Sequence, residues 1–160
     1  MNFVSKCPIN KGWSSDKKYC VTDKNGTRYL LRVSDIAEYD KKQLEFNMMK
    51  QVGALGVPMC QPIEFGTCDE GVYSIQSWIN GADAEEVIPT LSDTQQYAYG
   101  WQSGQILKKI NFIPAPETQE DWEKRFNRKM DYKVKKYIEC PLKYENGQTF
   151  IDYIYSNTAK

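Results

Sequence analysis

The residues of this sequence that could do chemistry are few and mostly charged. Arg32 lies in Tyr29-Leu30-Leu31-Arg32-Val33-Ser34, where strand alternation puts its guanidinium on the face opposite Tyr29, Leu31 and Val33. Glu45 stands beside a helical apolar stripe and in line with Met49 one turn later, so its carboxylate is expected to turn inward. From Gln51 to Leu107 there is no Lys or Arg, against the acids Glu64, Asp69, Glu70, Asp83, Glu85, Glu86 and Asp93. From Glu123 to Lys136 the balance reverses, with Lys124, Arg125, Arg128, Lys129, Lys133, Lys135 and Lys136 facing only Glu123 and Asp131. Each charged run is either a solvated face or a recognition surface, the acidic one for a cationic small molecule and the basic one for RNA. No aromatic-interleaved sheet or reading helix accompanies the basic run, so nucleic acid is not the expected partner.

Other chemistry is excluded outright. The chain has 160 residues and no histidine, which removes a Ser-His-Asp triad, a Cys-His pair, a His-ligated zinc and an imidazole switch. No metal site is expected. The five cysteines, at 7, 20, 60, 68 and 140, are odd in number and lack Cys-x-x-Cys spacing, a pattern of reduced thiols that points to the cytoplasm. Lys+Arg and Asp+Glu both number 21, so overall basicity drives no association. No apolar run reaches the length of a signal peptide core or a membrane span, and no membrane partner is expected.

The elements that must position Arg32 and Glu45 follow from periodicity. Lys18–Thr22 and Thr27–Ser34 read as strands around Asp23-Lys24-Asn25-Gly26, with Asn-Gly as the hairpin signal because both residues tolerate a positive φ. Asp35 and Glu38 resemble a capping box, and Leu44, Met48, Val52 and Leu55 then recur at helical spacing. Gly53, Gly56 and Val57-Pro58 end the helix. Strands are predicted again near Gln61–Cys68 and Val72–Ile79, followed by a connector at Asn80-Gly81-Ala82-Asp83. Beyond it the chain reads as helical. Ser92-Asp93-Thr94-Gln95 is a capping box, Gly100 and Gly104 would admit a neighbouring helix, Gln119–Ile138 carries Trp122, Phe126, Met130, Val134 and Tyr137, and Phe150–Tyr155 begins a last element. The plan is α+β, with lobes meeting near residue 80.

In its order of elements the sequence resembles the aminoglycoside phosphotransferase family, small-molecule kinases with a protein-kinase-like fold. Ile9-Asn10-Lys11-Gly12-Trp13-Ser14-Ser15-Asp16-Lys17-Lys18-Tyr19 is similar to the family's loop between the first two strands. Tyr29 to Ser34 is similar to the strand bearing the phosphate-contacting cation, and Glu45, eleven residues before Gly56-Val57-Pro58, stands in the place of the helix glutamate. Gln76-Ser77-Trp78-Ile79-Asn80-Gly81 is similar to the hinge, and Gly104 to Asn111 to the first helix of the large lobe.

The resemblance implies an antiparallel sheet with one helix over residues 1–80, a nucleotide-binding lobe, and the beginning of a helical C-terminal lobe over 81–160. It implies ATP or GTP with Mg2+, and a hydroxyl of a small cationic substrate as phosphoryl acceptor. Gly12, Ser14 and Ser15 would offer backbone N–H groups to phosphate oxygens. Arg32 would bridge the α- and β-phosphates and be held by Glu45; the commoner family residue there is lysine. The Ser77 carbonyl and the Ile79 N–H would meet the nucleobase edge. The family's His-Gly-Asp loop has no counterpart here, so no catalytic residue is assigned, and the base and metal ligands are expected beyond Lys160. A lobe cut short in this way should expose Trp101, Trp122 or Phe150 and self-associate. A non-catalytic nucleotide-binding or regulatory module, such as a truncated pseudokinase, and an RNA-contacting domain using Lys124 to Lys136 stay open as alternatives.

Overall fold

A computed structural model describes residues 2–157. Five strands, β1 (Phe3–Pro8), β2 (Lys17–Asp23), β3 (Arg28–Ser34), β4 (Pro62–Cys68) and β5 (Gly71–Ser77), form one antiparallel sheet in the order β1-β2-β3-β5-β4. Helix α1 (Tyr39–Ala54) joins β3 to β4. After the last strand the described residues hold only helices: the single turn α2 (Ala84–Val87), α3 (Asp93–Ile110), α4 (Trp122–Glu139) and α5 (Gly147–Asn157), with short 3-10 turns at Ile36–Glu38 and Ile88–Thr90. The fold is α+β, strands first and helices after. The chain divides into two compact units, Met1–Pro114 and Ala115–Lys160.

Alternation gives the sheet two working faces. Val21, Leu31, Val33 and Ile75 form a buried cluster flanked by Phe3, Tyr19, Tyr29 and Tyr73. The intervening residues of β3 and β5 face the other way, where Arg32 is paired in register with Ser74. Helix α1 packs on that second face through Phe46, whose ring lies 5.4 Å from Phe65, while Phe65 meets Tyr39 at the same distance. This changes the expected orientation of α1. Leu44 is 71% exposed, and Met48 and Leu55 are exposed with it. The inward stripe is Tyr39, Lys42, Phe46, Met49 and Gly53, with the Phe46 ring packed on Phe65 of β4 and Lys42 drawn in by the buried Asp16 carboxylate.

The turns repeat the sequence signals with one difference. Between β2 and β3 only Gly26 takes a positive φ (83°), and Asn25 does not. Asp23 Oδ1 accepts from the N–H groups of Asn25 and Thr27, so the loop is a turn held by an aspartate side chain and closed by glycine, not a two-residue hairpin. Gly71, at the start of β5, has φ 128°, and a Cβ there would stand 2.1 Å from the Ser34 carbonyl oxygen, so only glycine lets β5 run so close to the end of β3. Pairing slips once in each outer strand, between Phe3 and Ser5 in β1 and between Pro62 and Glu64 in β4.

Within the helical part, Ser92 and Gln95 make the capping box that opens α3, as the sequence predicts. Tyr97, Trp101 and Leu107 of that helix are all more than half exposed. A Cβ built on Gly100 or Gly104 would meet nothing within 4 Å among the described residues. In α4, Asp121 caps the first turn, Val134 is buried and Trp122 stacks on Phe126 at 4.8 Å. No helix among the described residues is long and apolar enough to cross a membrane.

Candidate functional site

The β1–β2 loop, the second face of the sheet and the inner side of α1 converge on one carboxylate. Asp16 precedes β2, on the face that Lys18 shares with its register partner Arg32. It is buried, with its side chain 3% exposed. Its Oδ2 accepts from Arg32 Nη2, and its Oδ1 accepts from the Ser34 hydroxyl at 2.9 Å. Lys42 Nζ, from α1, lies 3.0 Å from Oδ1 and 3.2 Å from Oδ2. Lys42 in turn reaches Glu45 Oε2 at 3.1 Å. Burial pushes the Asp16 carboxyl up, but hydrogen bonds from Lys42, Ser34 and Arg32 outweigh it and hold the group below the usual carboxylate range. Asp16 is therefore an anion at neutral pH.

Arg32 and Glu45 are both present, but they are not joined directly. Arg32 pairs with Asp16 and Glu45 with Lys42, so the expected Arg32–Glu45 bridge is replaced by the relay Arg32–Asp16–Lys42–Glu45. The physical reason lies in α1: its inward turn presents Lys42, and Glu45 remains half-exposed one turn on. Arg32 also donates through Nη2 to Ser14 Oγ at 3.4 Å, which ties the loop to the strand. Both of these bonds leave from Nη2, so Nε and Nη1 keep hydrogens that can meet an anion.

Behind the cluster is a cavity of about 30 Å3, room for one or two waters, bordered by Asp16, Lys42, Glu45, Phe46, Ser74 and Gln76. On the loop side lies an open depression of about 380 Å3 lined by Lys11, Gly12, Ser14, Asp16, Lys17 and Lys18. Gly12 has φ 92°, a backbone turn that glycine adopts without strain. Lys18 Nζ donates to the Lys11 carbonyl at 2.5 Å, and Lys11 reaches forward to Asp83 at 2.7 Å and Glu86 at 3.2 Å. Those pairs, with Lys6 and Lys17 on Glu70, draw three acids of the cation-free segment into local ion pairs. Ser15 is exposed in the same loop.

The hinge residues expected from the sequence sit at the end of β5 and just beyond it. Ser77 is pinned to the residue before β4: its N–H donates to the Gln61 carbonyl and its Oγ accepts from the Gln61 N–H, both at 2.8 Å. Ile79, two residues on and 52% exposed, lies past the end of the strand. Trp78 is covered on one side by the Arg28 guanidinium at 5.5 Å, and Arg28 also bonds Asn80, so the connector is braced from β3. The structure thus groups Gly12, Ser14 and Arg32, links Glu45 to them through two intermediates, and places Ser77 and Ile79 at the far end of the neighbouring strand.

Residues 7–154 match the sequence profile of the phosphotransferase enzyme family. The chain belongs to that family. A search of curated proteins found no match to it. Sequence reasoning did not single out Asp16 and Lys42, the two residues that join Arg32 to Glu45. Extending the alternation of β3 across to β2 places Asp16 and Lys18 on the face of Arg32, and Lys42 stands three residues before Glu45; these were the available signals. Among the described residues no group of three His, Cys, Asp or Glu side chains could hold a metal ion.

Proposed function

We propose that this chain is the nucleotide-binding part of a phosphotransferase of the aminoglycoside kinase type, acting with ATP or GTP on a hydroxyl of a small cationic substrate. The observation that carries the reading is the approach of Arg32 to the Gly12–Ser15 loop over a buried carboxylate, with two guanidinium nitrogens left for an anion. Phosphoryl transfer depends on positioning and on neutralising charge spread over phosphate oxygens, and a held guanidinium beside backbone N–H groups supplies both. In this reading the loop residues Gly12, Ser14 and Ser15 and the Arg32 guanidinium bind phosphates, while the Ser77 carbonyl and Ile79 N–H receive the base. The acidic surplus between Gln51 and Leu107 supports a cationic acceptor.

The family's Mg2+ does not fit the residues of this cluster. Both oxygens of Asp16 are engaged by two cations and a hydroxyl, so a divalent ion there would meet Arg32 and Lys42. With no histidine the chain also holds no His-Gly-Asp segment, which favours as second reading a module that binds nucleotide without transferring phosphate.

Calorimetric titration of the chain with ATP and GTP tests the proposal. Arg32→Ala should weaken binding by roughly tenfold or more, the loss expected for charge-assisted hydrogen bonds. Unchanged affinity removes Arg32 from the phosphate site. The 160 residues alone should transfer no phosphate to an aminoglycoside, and measurable turnover would overturn the placement of acceptor chemistry outside them.

A further inference from the structure

We propose that Cys7 and Cys20 are a modification site: a pair of thiols that a small-molecule disulfide converts into a covalent bridge between β1 and β2. The ladder sets the two residues directly opposite each other, and both thiols are free. Directly opposed residues of an antiparallel pair point to the same face, with Cα atoms about 4.5–5.5 Å apart. Bridged cysteines hold theirs about 4.4–6.8 Å apart, so the backbone already has the spacing the bond needs. Among the described residues no other two cysteines are opposed in the sheet. Cys60 and Cys68 are closer in sequence, but β4 (Pro62–Cys68) runs between them and its seven residues span about 20 Å.

Exposure sets the order of the chemistry. Cys7 is exposed on the edge strand, and Cys20 is half-buried on the strand behind it. The Cys7 thiol loses its proton and attacks one sulfur of the reagent. The reagent's S–S bond breaks, one half leaves as a thiol with that proton, and a mixed disulfide stays on Cys7. Cys20 then loses its proton and attacks the Cys7 sulfur, and the second half departs as a thiol. Two protein thiols are oxidised and one reagent disulfide is reduced to two thiols, so electrons and protons balance. The bridge closes the loop from Pro8 to Tyr19, which holds Ser14 and Asp16, both bonded to Arg32. At the base of that loop the Ile9 N–H donates to the Lys18 carbonyl at 2.8 Å, while Pro8 has no N–H to give. Strand β1 has β2 as its one neighbour in the sheet, so a covalent tie between 7 and 20 clamps both the edge strand and the base of the loop. This inference stands whether or not the loop binds nucleotide.

The test incubates the reduced full chain with oxidised glutathione, blocks the remaining thiols, and maps tryptic peptides by mass spectrometry. Cleavage after Lys6, Lys11, Lys18 and Lys24 puts Cys7 and Cys20 on separate peptides, 7–11 and 19–24. The folded chain should yield these two peptides joined, lighter by two hydrogens than the pair apart. The chain in urea should instead favour Cys60–Cys68, which closes a shorter loop. Cys20→Ser should stop at a glutathione mixed disulfide on Cys7, which dithiothreitol removes. In the bridged wild-type chain the Ile9 N–H should exchange with solvent roughly tenfold more slowly than in the reduced one, because closing the loop removes open states. The proposal is overturned if Cys7 stays unreacted or remains a mixed disulfide in the wild-type chain, or if it is joined to another cysteine or a second chain. It is equally overturned if the chain in urea gives the 7–20 link as its main product, or if Ile9 exchanges at the same rate with and without the bridge.

Discussion

Replacing Asp16 by asparagine probes the charged cluster without any ligand. The Asp16 side chain is 3% exposed, that of Lys42 15% and that of Arg32 31%, so the change strips a counter-ion from two cations that water reaches poorly. Asparagine keeps an oxygen for the Ser34 hydroxyl and loses the charge. Removing one partner of a fully buried pair costs about 3–5 kcal/mol. Here Arg32 is partly wet and Lys42 retains Glu45, which lowers the expected loss to about 2–3 kcal/mol. For a unit the size of Met1–Pro114 that is a melting temperature lower by roughly 10 °C. The pH dependence has a definite sign. The folded carboxyl titrates below the value of about 3.9 that it has in an unfolded chain, so its contribution is complete above that value and disappears as the pH falls through the folded one. Thermal unfolding of both proteins, followed by circular dichroism from neutral to acid pH, should show the full gap down to about pH 5 and a shrinking gap below about pH 4. Melting temperatures within about 2 °C at neutral pH, or a gap as wide in acid as at neutrality, would refute the reasoning.

Three further substitutions test the frame around the site. Gly71→Ala should destabilise the sheet by more than about 3 kcal/mol, since the new Cβ meets the Ser34 carbonyl in a backbone conformation that alanine avoids; a variant melting like wild type would show that this turn is not held against β3. Ile75→Ala empties the middle of the Val21–Leu31–Val33 cluster and should cost about 2–5 kcal/mol in urea unfolding, a loss that would be absent if that face were not the core. Ser92→Ala removes the cap of α3 and should lower helix stability by about 1 kcal/mol, visible as reduced helical ellipticity; an unchanged spectrum would place the start of α3 elsewhere.

Four of the five strands were legible because their signals are local, whereas β1 was given no range by the sequence. Alternation in β3 separates Arg32 from Leu31 and Val33 within six residues, and that separation is what the fold shows. The facing of α1 was not legible, since the sequence carries two stripes of equal regularity. Leu44, Met48, Val52 and Leu55 make the more apolar one, whereas Tyr39, Lys42, Phe46 and Met49 make the one that packs. A lysine belongs on an inward stripe only when an anion waits there, and that anion is Asp16, 26 residues away across the loop and β3. The Arg32–Glu45 bridge failed for the same reason. Spacing along the chain placed a carboxylate near the cation, but a nearer carboxylate from another element took the contact. Ser77 and Ile79 act through the backbone in the proposed role, which leaves almost nothing in the sequence to read.

The slips in β1 and β4 have a consequence for how copies of this chain can meet. These two strands are the edges of the sheet, and an open edge is a template on which another chain's strand can form. Each carries an irregular step in its ladder together with a proline, Pro8 closing β1 and Pro62 opening β4, and proline has no N–H to offer a newcomer. Lys6 adds a charge along β1. Both borders are therefore poor templates, and the sheet is guarded against growing by addition of a strand. Any contact between copies would then have to form through side chains, without exchange of backbone hydrogen bonds.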